Sequence, residues 1–167
     1  MTRATNRLLG RAAAVTTGLA AVLGTALAGA PTASAVGSSI PSYLADNNSC
    51  IGIDGSGYAI LWSCNGNPDQ RWTFAAAGGG YVRLANEQNG CLDIPQGSTA
   101  PGTWAIQWQC NNGTNQQWKV ENLPNNSFRL RNRNSGLCLD ASGASSANGT
   151  HLIQWDCNGG DNQRWLY

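Results

Sequence analysis

The sequence predicts an all-β protein made of three pseudo-equivalent units, and three observations lead there. First, "CLDIPQGSTAPGTWAIQWQCNNGTNQQW" (Cys91 to Trp118) and "CLDASGASSANGTHLIQWDCNGGDNQRW" (Cys138 to Trp165) share a length of 28 residues and align without a gap. Second, "ILWSCNGNPDQRW", around Cys64 and Trp72, repeats the closing half of that pattern. Trp72, Trp118 and Trp165 each follow a cysteine by eight residues, and they are spaced 46 and 47 apart. Third, short alternating stretches such as "YVRLAN", "FRLRN", "AIQWQC" and "QWKV" are separated by turn formers such as "AAAGGG" and "NLPNN". That alternation has the period of a strand, and no segment carries a helical one. Three copies are too few for a propeller, and a closed threefold barrel hides its strand edges.

In chain order, the first segment is a targeting signal. Arg3, Arg7 and Arg11 precede small apolar residues, and "PTASAVG" places Ala33 and Ala35 in the A-x-A arrangement of a cleavage site. Residues 1–35 are therefore read as a signal peptide, residues 36–167 as one domain, and the protein as secreted to the extracellular space. The run between is interrupted by glycines and a proline and is too weakly apolar for a retained anchor, so no membrane insertion is expected. The whole chain has 10 Lys+Arg against 9 Asp+Glu; removing the three arginines leaves 7 against 9, a net charge of −2. A chain so poor in cations offers no footprint for nucleic acid.

The repeats span approximately 43–76, 81–122 and 128–167. All six cysteines lie within them, and an even count after a signal peptide implies disulfides. Six cysteines allow 15 pairings, but each unit holds two, and treating the units alike gives Cys50–Cys64, Cys91–Cys110 and Cys138–Cys157. No C-x-x-C spacing occurs, so no metal is expected, and no cofactor is called for.

With Gln70-Arg-Trp72, Gln116-Gln-Trp118 and Gln163-Arg-Trp165 as Q-x-W motifs, the chain resembles the ricin B-chain-like (R-type) lectins, also classed as carbohydrate-binding module family 13. Three motifs in register with three cysteine pairs and the C-L-D starts carry the resemblance over essentially residues 36–167. It implies a β-trefoil and non-covalent binding of sugars such as galactosides or of plant-type polysaccharides such as xylan.

Sugar chemistry asks for the same residues. A sugar ring has a C–H face, which an aromatic plate covers, and a rim of hydroxyls, which planar polar groups bind. The second repeat offers Asp93, Trp108, Asn115 and Gln116, and the third offers Asp140, Trp155, Asn162 and Gln163. By resemblance these match family positions for hydroxyl binding and ring stacking. The bland readings are a turn-capping carboxylate for Asp93 and Asp140 and packing for Trp108 and Trp155. Trp72, Trp118 and Trp165 are read as core, where three wedges meet. Tyr58, Trp104 and His151 recur at the loop end of each strand and are read as a rim at the pocket mouth.

Two departures matter. In the first repeat Gly52 stands where the other units have an aspartate, Asp54 comes two positions late, and Asp69 replaces the asparagine, so its pocket is expected to be weak or dead. In all three, an isoleucine (Ile60, Ile106, Ile153) stands two positions before the aromatic plate, where many relatives carry a polar residue. Gln107 and Gln154 lie one residue further on, on the opposite strand face. This weighs against a ricin-like galactose site in particular.

Catalysis is not expected. A glycosidase needs two carboxyls about 5–9.5 Å apart, whereas Asp93 and Asp140 are repeat equivalents in different pockets. One histidine and no free cysteine leave no triad. The chain is read as a monomer whose partner is a carbohydrate. Single sites of about millimolar affinity would gain by engaging one polymer together. The competing reading is a secreted β-trefoil that binds protein, such as a protease inhibitor, without sugar.

Overall fold

The first unit opens with β1 (Ser49–Ile53) and β2 (Ala59–Ser63), an antiparallel pair in which Ile53 faces Ala59 and Ser49 faces Ser63. A 3-10 turn at Pro68–Gln70 then delivers the chain to β3 (Trp72–Gly78), which turns back as β4 (Tyr81–Asn86). The second unit repeats the order with β5 (Gly90–Asp93), β6 (Ile106–Gln109), a 3-10 turn at Thr114–Gln116, β7 (Trp118–Leu123) and β8 (Ser127–Asn132). The third holds β9 (Cys138–Ala141), β10 (Leu152–Trp155), a 3-10 turn at Asp161–Gln163 and β11 (Trp165–Leu166). The computed structural model describes residues 38–40 and 48–167. The expected signal peptide and cleavage site after Ala35 lie outside the described residues.

The units join head to tail. Tyr58 bridges to Ile106, Trp104 to Ile153 and His151 to Ile60, so the second strand of each unit passes its edge to the next until the third meets the first. At the other end of the strands, Val82 pairs with Trp118, Phe128 with Trp165, and Ser38 with Trp72. Among the described residues, closure of this kind pairs strand edges that would otherwise be open to another chain.

Alternation assigns the two faces. Along β2, Ala59 and Leu61 are fully buried; along β10, Leu152 is. The residues between them take the opposite face, where Trp62 and Trp155 are exposed while Ile60 and Ile153 remain buried beneath them. The core is filled by Trp72, Trp118 and Trp165 together with Ile51, Leu84, Leu92, Leu130 and Leu139, all essentially without solvent contact. The three disulfides are Cys50–Cys64, Cys91–Cys110 and Cys138–Cys157, each within one repeat. They span separations of 14, 19 and 19 residues. Loops of that length contribute about 3 kcal/mol each in the chain-entropy picture.

The core tryptophans differ in one respect. The Trp72 indole N–H donates to the Ile51 carbonyl at 2.9 Å and that of Trp118 to the Leu92 carbonyl at 3.1 Å. The Trp165 indole N–H is buried without a hydrogen-bond partner. Trp118→Phe would strand a buried carbonyl, whereas Trp165→Phe removes an orphan donor. We expect Trp118→Phe to destabilise by about 1 kcal/mol more than Trp165→Phe, because a buried acceptor left without its donor costs on that order. Urea unfolding of the two variants reads the difference directly.

Candidate functional site

The site is built from the buried glutamine of each Q-x-W motif. In the second repeat, the Gln116 Oε1 accepts from the Asn111 backbone N–H at 2.8 Å. Its Nε2 donates to the Gln109 carbonyl at 2.9 Å and to Asp93 Oδ2 at 2.6 Å. The third repeat reproduces the set: Gln163 Oε1 accepts from the Asn158 N–H at 3.0 Å, and Nε2 donates to the Asp156 carbonyl and to Asp140 Oδ2, both at 2.8 Å. One amide thus ties together the end of the second strand, the loop after the second cysteine and the aspartate at the end of the first.

This corrects the assignment of Gln116 and Gln163 as sugar ligands. Both are buried, and each amide is occupied by the protein, so they position the aspartate instead of touching a ligand. The reason is local: the 3-10 turn before the tryptophan points the glutamine inward, under the loop.

Asp93 and Asp140 are themselves held tightly. Asn115 Nδ2 donates to Asp93 Oδ1 and to the Ile94 carbonyl, both at 3.0 Å, while Asn162 Nδ2 donates to the Ala141 carbonyl at 3.4 Å. Gly113 and Gly160 make room for these asparagines, since a Cβ at either would fall within 2.5 Å of the Asn115 or Asn162 Oδ1. Burial pushes both carboxyls above the ordinary carboxylate range, and the hydrogen bonds from Gln116 and Asn115, or Gln163 and Asn162, pull only part of the way back.

Two outward-facing pockets result. The second repeat's, about 240 Å³, is lined by Asp93, Pro95, Gln96, Ile106, Trp108, Asn111 and Asn115. The third repeat's, about 380 Å³, is lined by Asp140, Ser142, Gly143, Ala144, Ile153, Trp155, Asn158 and Asn162. Trp108 and Trp155 are 60% and 42% exposed, so neither is a core residue. Gln96 of the smaller pocket occupies the position of Gly143 in the larger, both with positive φ, and its side chain narrows the space.

Sequence reasoning missed several of these residues. Asn111 and Asn158 follow the second cysteine of their repeats, as Asn65 does in the first, and that recurrence was a readable signal. Each uses its side-chain oxygen to hold the turn, accepting from the N–H of Gly113 or Gly160.

The first repeat has a pocket too, about 560 Å³, lined among others by Asp54, Ile60, Trp62, Asn65 and Asp69. Its wiring differs. Gln70 still accepts from the Asn65 N–H and donates to the Ser63 carbonyl, but Gly52 leaves it no carboxylate. Asn67 takes the place of Gly113, and Asp69 instead turns toward the vacated space, its Oδ2 3.2 Å from where a Cβ on Gly52 would lie. Asp54 Oδ1 caps the following turn, accepting from the N–H groups of Ser56 and Tyr58 at 2.8 and 2.9 Å.

The expected rim residues come together: Trp104 and His151 meet each other and Tyr58. The Trp104 and His151 rings stack at 3.8 Å between centroids, 11° from parallel, and Tyr58 meets both edge-on at 5.2 and 5.5 Å. The bridges that close the three units bring these positions together, which no single repeat reveals.

The family model for the ricin-type β-trefoil lectin domain matches this chain over residues 42–165. The chain belongs to that family. Comparison with curated proteins by sequence gives no match. Among solved structures, it is similar to ThreeFoil, a designed threefold symmetric protein, at 30% identity and a TM-score of 0.73, covering 77% of this chain and 94% of the other. An exo-β-1,3-galactanase from Clostridium thermocellum matches at 25% identity and a TM-score of 0.74, over 79% of this chain but only 30% of that enzyme. A ricin B-like lectin from Macrolepiota procera, solved in complex with lactose, shares the fold at 22% identity and a TM-score of 0.65, covering 78% and 94%. The ricin-type lectin domain binds carbohydrate in general terms. Among the described residues no helix is long and apolar enough to cross a membrane, and no cluster of His, Cys, Asp or Glu is arranged to hold a metal.

The raised carboxyls carry a cost that this ricin-type domain bears at neutral pH. A carboxyl whose folded value is raised contributes stability below about pH 3.9, its ordinary value, and that contribution is lost as pH rises through the folded value. Asp140→Asn keeps an oxygen for Gln163 and removes the charge. We expect its melting temperature to exceed that of the unaltered protein at pH 7 and the advantage to vanish below about pH 4; thermal unfolding across pH checks it.

Proposed function

We propose that this chain is a secreted, monomeric carbohydrate-binding protein without enzymatic activity, whose second and third pockets bind sugar residues non-covalently. The observation that carries this reading is the pairing, in each pocket, of an exposed tryptophan with an aspartate whose carboxylate is held in place by a buried glutamine. The tryptophan supplies a plate for the C–H face of a sugar, and the clamped aspartate with Asn115 or Asn162 supplies acceptors and donors for neighbouring hydroxyls. The desolvation cost is met within the fold and recovered when hydroxyls donate to the carboxylate.

Isoleucine flooring in both pockets favours a ligand that presents an apolar surface downward, such as an unbranched pyranose of xylan, over a ricin-like galactoside. The first pocket is the weak one, because its Gln70 grips no carboxylate and Asp54 is occupied by its own turn.

Residues 36–167, folded and oxidised, are tested on immobilised glycans and insoluble polysaccharides beside the Asp93→Ala/Asp140→Ala double variant. We expect binding to one sugar class that the double variant loses by more than tenfold. A folded protein silent on every glycan would overturn the reading in favour of the protein-binding or inhibitor alternative. The ionised carboxylate is the accepting form, so affinity is expected to fall as pH is lowered through the raised Asp93 and Asp140 values. Half of the binding is lost at a pH above 3.9, the ordinary aspartate value; titration calorimetry between pH 3 and 7 locates that midpoint.

A further inference from the structure

The cluster of Tyr58, Trp104 and His151 adjoins the pockets through strand pairing. Residues directly opposite in an antiparallel bridge point their side chains to the same face, with Cβ atoms about 4.5–5.5 Å apart. Trp104 is opposite Ile153, Tyr58 opposite Ile106, and His151 opposite Ile60. Those isoleucines line the third, second and first pockets. Each ring therefore stands beside the neighbouring unit's pocket without lining it, placed to extend it toward a longer ligand.

The three extensions are unequal. Of the rings, Trp104 is the open one, 45% exposed, while Tyr58 and His151 are only partly accessible. Its loop is bound to the third unit on both sides of the bridge: Gly102 N–H donates to the Gln154 carbonyl at 2.8 Å and Gln154 N–H to the Thr103 carbonyl at 3.0 Å on one side, and Ala105 N–H to the Leu152 carbonyl at 2.8 Å on the other. Gly102 also lies against the Trp155 ring, since a Cβ there would be 3.5 Å from it. Trp104 is thus one strand spacing across and two residues along from Trp155, on the order of 8 Å away. The His151 ring stacked on it holds it in place.

We propose that Trp104, supplied by the second repeat, is a chain-extension subsite of the third pocket, which takes an oligosaccharide with one residue at Trp155 and the next on Trp104. The second pocket, narrowed by Gln96 and bordered by the less open Tyr58, takes a single residue. The two intact sites then differ in the length of chain they prefer. This rests on the proposed carbohydrate binding at the third pocket and deepens it. A sugar at Trp155 is oriented by Asp140, and its neighbour needs only a plate, because stacking tolerates any ring that presents a C–H face.

The test isolates each pocket by calorimetry with xylose, xylobiose and xylotriose, and with galactose and its β-linked di- and trisaccharides. In an Asp93→Ala background, where only the third pocket is intact, Trp104→Ala is expected to lower affinity for the di- and trisaccharide about tenfold and to leave the monosaccharide within twofold. Trp104→Phe, which keeps a ring, should lose less. In an Asp140→Ala background Trp104→Ala should change nothing. Equal losses for mono- and oligosaccharide, or no loss with either, would overturn the subsite. Thermal unfolding separates an equal loss caused by misfolding, and Trp104→Phe then decides. If the Asp93→Ala protein binds none of these sugars while remaining folded, carbohydrate binding at the third pocket itself is refuted, and the subsite falls with it.

Discussion

Everything at the pockets depends on one buried amide. In each intact unit the Q-x-W glutamine spends its oxygen on a backbone N–H of the loop after the second cysteine. Its nitrogen goes to a strand carbonyl and to the aspartate. An amide is suited to this because it offers an acceptor and two donors in one plane, so a single side chain satisfies three groups with nothing left over. A carboxylate buried without such donors would be prohibitively costly, and with them it becomes a fixed acceptor facing outward. The disulfide, through Cys91 and Cys110 or Cys138 and Cys157, fastens the start of the first strand covalently to the end of the second. The aspartate is therefore held from both sides, and any ligand it binds meets a preorganised group.

Closure of the three units supplies the second constraint. Because the strands of each unit pair with the next, a pocket is never the property of one repeat alone. Its aromatic plate and aspartate come from one unit, while the strand beside its isoleucine floor comes from the preceding one. Divergence in one repeat consequently alters two neighbouring sites. The exchange of Asp for Gly at position 52 and of Asn for Asp at position 69 shows how a unit departs without losing its place in the barrel. The glutamine keeps its backbone bonds, and Trp72 keeps its place in the core.

Much of the fold was legible because it is written three times. The spacing of Trp72, Trp118 and Trp165, the cysteine eight residues before each, and the turn formers between strands all bear on units and closure. The disulfides Cys50–Cys64, Cys91–Cys110 and Cys138–Cys157 followed from treating the units alike. The site was less legible. Gln116 and Gln163 read as ligands because a glutamine beside an asparagine looks polar and exposed, and only the 3-10 turn shows it is pointed inward. Asn111 and Asn158 were passed over although their recurrence after a cysteine was visible. Trp104 and His151 were separated because a repeat comparison aligns equivalent residues but does not say that equivalents from different units touch.

The central claim is that the outward tryptophans of the second and third repeats are ligand plates while those of the Q-x-W motifs are structural. The most direct measurement follows the indole N–H resonances of all seven tryptophans by nuclear magnetic resonance as a bound sugar is titrated in. The account expects the Trp108 and Trp155 signals to move with saturation while those of Trp72, Trp118 and Trp165 stay in place. Shifts confined to the buried set, or no movement at Trp108 and Trp155 under saturating sugar, would contradict it.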